Sequence, residues 1–418
     1  LPQNLAGALQ HYLPTEIFGY LQAAGQAAAE RQLSLYLIGG SVRDMLLQQQ
    51  LFDWDLDLVS ESPQITTLAA DLHQRWGGSF QQFPQYGTAK IHLGALDLDF
   101  ATARTEVYAY PGANPEVTFS QLEADLIRRD FTINAMALDL RPARFGDLID
   151  PFGGYADLAA GRIRALHAHK FIEDPVRSWR AVRLATTLSF NLEPTTEQAL
   201  CAAMQSGQFD GFLTGRICNE LYKCLDKAEP EVYLSHLSHL GVLRCLDPGL
   251  CWNSALARFF ERAREYAEEF AGLKLRQAYL LGLLQAMQPV YQSALLRALQ
   301  VSRAEFKAWS AYQAEVQASW EPVLPSVAVE RLSPLPLLTL WALLATDLPE
   351  PAADLLQHYW RQWRFIKPEI SGKLILDWMA PGPAVREILK QVHRARLNGQ
   401  VQNLQEEKEL ARKLAQDT

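Results

Sequence analysis

Residues 38–59 read IGGSVRDMLLQQQLFDWDLDLV, and the fold turns on this stretch. Gly39 and Gly40 follow an apolar strand pattern and precede a helical one, where backbone amides can approach a phosphate with no Cβ in the way. Arg43 lies one turn into that helix, able to add charge-assisted hydrogen bonds. Asp55 and Asp57 stand at i and i+2 on the next strand, so both carboxylates project from one face. Two such charges repel, and a divalent cation relieves them; Mg²⁺ favours one or two carboxylates plus phosphate oxygens. A Gly-Gly turn alone is an ordinary connector, and a lone Asp-x-Asp is ordinarily solvent-facing. Together they point to a nucleoside-triphosphate–Mg²⁺ site.

Working outward, β-rich runs at 35–40, 55–60, 89–94, 96–103 and 131–140 alternate with helical patterns in SVRDMLLQQQ and PQITTLAADLHQRW. That pattern predicts a mixed α/β head, one sheet with helices. From Asp174 onward the spacing of Leu, Ala and Trp is almost wholly helical, broken at Asp247-Pro248-Gly249 and in the proline-rich segment 321–338. The expected organisation is a head over residues 1–166, a helical neck over 167–230, a body over 231–330 and a tail over 331–418. No internal repeat interrupts it.

Composition narrows the class. The chain of 418 residues, 49% hydrophobic and 21% charged, is an ordinary globular composition rather than a disordered or fibrous one. No uncharged apolar stretch is long enough to span a membrane, and the N-terminal segment has no signal-peptide pattern; a cytoplasmic location is expected. The five cysteines lack CxxC spacing, so they read as buried free thiols. His167 and His169 read as a strand or loop without metal, and the tryptophans, Trp360, Trp363 and Trp378 among them, as core. The net charge of −8 argues against nucleic-acid binding, but its distribution does not. Residues 361–396 hold eight Lys and Arg against three acids, and local charge decides phosphate affinity.

At this point a resemblance is plain. Gly39-Gly40-Ser41-Val42-Arg43-Asp44 followed by Asp55-Leu56-Asp57 resembles the nucleotidyltransferase signature of the bacterial (class II) tRNA nucleotidyltransferase and poly(A) polymerase family, most like its CCA-adding members. Arg128-Arg129-Asp130-Phe131-Thr132-Ile133-Asn134-Ala135 is similar to the second family motif. Glu173-Asp174-Pro175-Val176-Arg177, continuing through Arg180 and Arg183, is similar to the nucleotide-selecting one. Asp150-Pro151-Phe152-Gly153-Gly154, Arg216-Ile217 with Glu220-Leu221, and Ile370-Ser371-Gly372-Lys373 also match in order. No His-Asp dipeptide occurs, so the metal-dependent phosphohydrolase domain that some relatives append is not expected.

The resemblance implies a polymerase-β-like head with helical neck, body and tail, adding nucleotides to an RNA 3′ end without a template. It implies Asp55 and Asp57 as Mg²⁺ ligands and catalytic residues. Gly40, Arg43, Arg128, Arg129, Asp130 and Asn134 would bind nucleotide, the second motif holding sugar and triphosphate. Asp99 is a possible third carboxylate that the resemblance does not designate. Asp174 before Pro175 also reads as a helix N-cap with proline at N1, with Arg177, Arg180 and Arg183 along one helix face. As a base-reading pair, an Asp that only accepts and an Arg that only donates suit cytosine and adenine, which present an amino donor beside a ring-nitrogen acceptor. Guanine and uracil mismatch both contacts, at about 1–3 kcal/mol.

The reading at this stage is therefore an enzyme that builds or repairs the CCA end of tRNA from CTP and ATP, with no protein partner implied. Lys373, Arg394 and Arg396 are the choice for tRNA phosphate contacts. Residues 104–117 are expected to be a loop that moves when the added base changes. The alternatives are a poly(A) polymerase, an enzyme adding only CC or only A, and an inactive RNA-binding protein of the same fold.

Overall fold

The computed structural model describes residues 3–49, 54–110, 113 and 116–416. They form two compact units, residues 1–212 with 219–224 and 232–245, and residues 213–218 with 225–231 and 246–418. The boundary expected after residue 166 lies inside the first unit, and that expected after 330 falls within the helix Pro325–Leu332.

The first unit opens with helices α1 (Ala6–Tyr12) and α2 (Thr15–Glu30), then β1 (Tyr36–Ile38), α3 (Gly40–Leu46), β2 (Trp54–Ser60) and α4 (Ile65–Trp76). Strands β3 (Ser79–Phe83), β4 (Thr88–Leu93) and β5 (Leu96–Thr102) follow. The sheet order is β3-β4-β5-β2-β1-β8-β9, where β8 is Ala137–Asp139 and β9 is Leu148–Ile149. Its pairings are antiparallel except β2 with β5, which run parallel.

Alternation explains what this sheet does. In β5, Leu96, Leu98 and Phe100 are buried while Asp97 and Asp99 stay partly open, and in β2 Leu56 and Leu58 are buried opposite Asp55 and Asp57. Helix α4 buries Ile65, Leu68, Ala69 and Leu72, the i, i+3, i+4, i+7 stripe of a core-facing helix. A Cβ at Gly25 of α2 would fall 1.9 Å from the Leu140 carbonyl oxygen, so only glycine permits that approach. With the core on one face, the carboxylates share the other.

Two segments differ from expectation. Residues 104–107 and 116–119 are strands β6 (Arg104–Val107) and β7 (Glu116–Phe119), an antiparallel ribbon rather than an irregular loop. Its ladder of backbone hydrogen bonds satisfies the chain without a hydrophobic pattern; residues 111, 112, 114 and 115 lie outside the described ones. After α5 (Leu122–Ile127), the run 131–140 is a strand only at β8, because Thr132–Asn134 forms a 3₁₀ turn. Helix α6 (Gly154–Ala159) packs on that turn so closely that a Cβ at Gly154 would meet the Thr132 carbonyl oxygen at 2.3 Å. Asp150 caps the start of α6, accepting from the Gly154 and Tyr155 amides at 2.7 and 2.9 Å. Beyond β10 (Arg162–Ile163), α7 (Lys170–Glu173) and α8 (Val176–Leu188) carry the third motif.

The second unit is helical. Phe270 stacks between Trp341 and Trp360, with centroids at 5.2 and 4.5 Å, and the Trp341 indole donates to the Ala263 carbonyl. Trp360 is core as expected, whereas Trp363 and Trp378 are half-buried. Near the C-terminus, the helices Pro383–Leu397 and Leu404–Gln416 pack Ile388, Val392 and Ala411 into one cluster with Ile370 and Ile375. Cys218, Cys224 and Cys245 are buried free thiols; Cys201 is half-buried and Cys251 exposed, contrary to the expectation for all five.

Candidate active site

Parallel pairing of β2 and β5 sets Asp55 opposite Asp97 and Asp57 opposite Asp99. The row continues through Lys90 to Gln81 on β4 and β3 and through Ile38 on β1. Lys90 Nζ lies 2.8 Å from Asp97, 3.2 Å from Asp99 and 3.9 Å from Asp55. Burial works against its charge, but the bonds to Asp97 and Asp99 outweigh burial and raise its pKa. Burial pushes the Asp99 carboxyl up to about 6, with Asp55 and Asp57 adding to the rise against the pull of Lys90. Asp57 keeps an open side to solvent, yet the protein wall behind it raises its pKa, with Arg129 opposing and Asp55 and Asp125 assisting. This is a face with more negative charge than its own lysine neutralises.

The other wall carries positive charge. Gly39 sits at φ +78°, a left-handed conformation that glycine adopts freely, and a Cβ there would lie 3.0 Å from Arg129 Nη1 and 3.4 Å from Asp57 Oδ2. Arg43 donates to Asn134 Oδ1 at 2.6 Å and to Asp44 at 2.8 Å, linking α3 to the 3₁₀ turn. Asp125, buried on α5, receives both Arg128 (2.7 Å) and Arg129 (3.1 Å), and Arg128 also reaches Glu106 at 2.8 Å. Arg129 Nε is buried with no partner. Gly40 follows with its neighbour Arg43 packed over it.

Helix α8 clamps this wall. Arg177 donates to the carbonyls of Arg128 and Arg129 at 3.1 and 3.2 Å, and it is only 6% exposed. Arg180 Nε donates to Asp130 at 2.5 Å, and Arg183 Nε to Glu220 at 2.5 Å. Glu220 also accepts from Lys223 at 2.9 Å. Burial pushes Asp130 up, but Arg180 and Arg177 outweigh it and hold the carboxyl at about 2. Asp174 is buried and accepts from the Val176 amide at 3.2 Å. The helix begins at Val176 with Pro175 as N-cap, one residue later than the sequence reading placed it. Tyr108, beside the ribbon, donates to Glu106 at 3.1 Å, and burial raises its pKa against the pull of nearby Arg177.

The basic residues chosen in the tail have different surroundings. Lys373 is exposed at the first turn of Gly372–Leu376. Arg394 makes a two-pronged ion pair with Glu330 at 2.6 and 2.7 Å. Arg396 bonds Glu369 at 2.7 Å and the fully buried Glu407 at 2.6 Å.

What the face between these walls can do follows from its donors. Among the described residues, no three acidic, His or Cys side chains converge closely enough to close a metal cage by themselves. The oxygen-only donors Asp55, Asp57 and Asp99 do fit a hard divalent cation that takes its remaining ligands from phosphate. Sequence reasoning passed over Lys90 and Asp125, took Glu106 and Tyr108 only as part of the segment 104–117, and left Asp99 undesignated; only strand register, which a local motif does not contain, brings Asp99 to Asp57.

Residues 35–164 match the model of a family described as poly A polymerase head domain. An A-adding tRNA nucleotidyltransferase of Aquifex aeolicus is 40% identical over 252 residues, 59% of this chain and 30% of that protein. The chain spans less than two thirds of the length of the first curated relatives it matches. A solved CCA-adding enzyme in apo form II resembles it with a TM-score of 0.81 at 27% identity, over 97% of each chain. A tRNA-processing enzyme in apo form I is 30% identical, with a TM-score of 0.69, over 92% of this chain and 99% of that one.

Proposed function

Since the chain belongs to the class II tRNA nucleotidyltransferase and poly(A) polymerase family, we propose that it builds or repairs the CCA 3′ end of tRNA. It does so from CTP and ATP, without a template, and releases pyrophosphate. The observation that carries this reading is the register of Asp57 with Asp99, with Asp55 on the same face and Arg129 beside the Gly39 turn.

Enzymes of this family use a divalent metal ion, and here Mg²⁺ is the choice because the donors are carboxylates. Asp55 and Asp57 would hold it with Asp99 alongside, and when bound it would acidify the acceptor 3′-hydroxyl and neutralise triphosphate charge. The protein's own residues supply position. Arg129, with an unpaired nitrogen, and Arg43 face the triphosphate, while Asn134 and Asp130 hold the sugar side. Asp174 and Arg177 read the base edge, with Tyr108 beside the ribbon near Arg177. The tail, through Lys373 first, contacts tRNA phosphates, and the enzyme works in the cytoplasm with its substrate. Among the described residues no single helix is long and apolar enough to cross a membrane.

A second reading, addition of the terminal A alone, is favoured by the name of the Aquifex relative. One experiment separates the two. Purified protein is incubated with tRNAs ending before CCA, after C and after CC, each with labelled CTP or ATP. Sequential incorporation on all three supports CCA addition; ATP use on the CC-ended tRNA alone supports A addition; no incorporation removes both.

A further inference from the structure

An in-line phosphoryl transfer puts the attacking oxygen on the side opposite the leaving group. On the proposed reading the leaving pyrophosphate would lie on the β1 side of the carboxylates, by the Gly39 turn and Arg129. The acceptor would then arrive from the other side, over β5, β4 and β3. A cavity of about 350 Å³ spans this face, from Ile38 and Arg129 on the β1 side to Asp99, Gln81, Thr88 and Phe83 on the other. That volume lies in the range of sites for small ligands.

The register gives the cavity its plan. One row across the sheet is Asp57, Asp99, Lys90 and Gln81, and the next is Val59, Ala101, Thr88 and Phe83. A ribose whose 3′-oxygen lies at Asp57 and Asp99 carries its base outward over the small side chains of Ala101 and Thr88, toward the ring of Phe83. Phe83 is 45% exposed on the edge strand, an apolar ring left in water. It has aromatic company: Tyr86 is 54% exposed in the following turn, and Phe119 is 42% exposed. A Cβ on Gly87 would lie 2.8 Å from the Phe119 ring, so that glycine lets β7 bring its aromatic to the same corner. Single exposed phenylalanines need no explanation; a ring at the mouth of a catalytic cavity, among others, does.

We propose that Phe83 is the stacking platform for the 3′-terminal base of the RNA acceptor, with the exposed amide of Gln81 at that base's edge. The proposal rests on the nucleotidyltransferase reading and specifies its second substrate site. Stacking on an aromatic face is tolerant of base identity, and a glutamine amide both donates and accepts. The site thus grips whichever base ends the acceptor and leaves selection to the nucleotide side.

The test uses full-length protein and a tRNA whose 3′-terminal base is 2-aminopurine, whose fluorescence is quenched by stacking. Wild type should quench it on binding without nucleotide; Phe83→Ala and Phe83→Leu should not, and Phe83→Trp should restore quenching. In steady state, Phe83→Ala should raise the KM for tRNA roughly ten- to hundred-fold while the KM for nucleotide holds. Thermal melting of each variant shows that the exposed position has not cost the fold. Quenching equal in wild type and Phe83→Ala, or absent in an active wild type, overturns the platform. A wild type that incorporates nothing into any tRNA overturns the function reading instead.

Discussion

Arg180 on α8 donates to Asp130 at 2.5 Å, an ion pair whose carboxylate is 8% and whose guanidinium is 42% exposed. The bond ties the third sequence motif to the second, and its worth depends on pH. Asp130 is held at about 2 in the fold, below its ordinary value of 3.8. A depressed carboxyl contributes stability above its unfolded pKa and loses it as pH falls toward the folded one. Wild type should therefore lose about 2 kcal/mol from this group between roughly pH 4 and pH 2. In Asp130→Asn that component is absent, so urea midpoints of the two proteins should converge across the same window. Parallel curves would show that Asp130 is not the titrating group.

The carboxylates on the sheet face should behave differently. Asp55→Ala or Asp57→Ala should cut nucleotide incorporation by roughly 10³-fold, several kcal/mol of transition-state stabilisation, with melting temperature held or raised. Wild-type turnover in either would show that the reaction uses other groups; the replacement candidate would then be Asp53, two residues upstream of Asp55, which lies outside the described residues.

Asp174 and Arg177 separate reading a base from building a helix. If Asp174 only supports the start of α8, Asp174→Asn keeps selectivity, since Asn also caps. As a base reader, the amide gains a donor, and misincorporation of GTP or UTP should rise by roughly tenfold or more. Competition assays with mixed nucleotides decide it.

For the tail, Lys373→Ala should weaken tRNA binding and reduce the slope of log affinity against log salt by about one. Arg396→Ala should act on the fold instead, leaving the buried Glu407 short of its cation, with roughly 1–3 kcal/mol of stability lost. A salt slope unchanged by Lys373→Ala would place the RNA elsewhere.

Excising residues 108–115 should leave C addition and abolish A addition, because it removes much of the segment expected to move when the added base changes, Tyr108 near Arg177 included. Loss of both additions alike would make the ribbon a structural part rather than a selector.

What sequence reveals of this site divides along chain distance. Gly39, Arg43, Asp55 and Asp57 are legible because one strand–turn–helix–strand segment contains them. Asp99 is legible only as an undesignated candidate and Lys90 not at all, since the parallel pairing of β2 with β5 decides what stands beside Asp57. Strand β3 hides because SFQQF is an exposed edge strand without apolar alternation. The ribbon hides for the same reason, its Arg104 and Glu106 answering to Arg128 and Asp125 rather than to a core. The arginine ladder of α8 reads as a ligand-facing row, but its partners lie in distant segments.

Arg177 holds the carbonyls of Arg128 and Arg129 with the same guanidinium that would face a base. On the proposed reading, fidelity and grip on the triphosphate would thereby be a single mechanical part. A mutant search for altered nucleotide choice would then seldom return this arginine, because any replacement would loosen the wall of Arg128 and Arg129 before it changed the base that is read. Such variants should map to the surroundings of Arg177, at Tyr108 and the ribbon, where the pair can be re-aimed without being released.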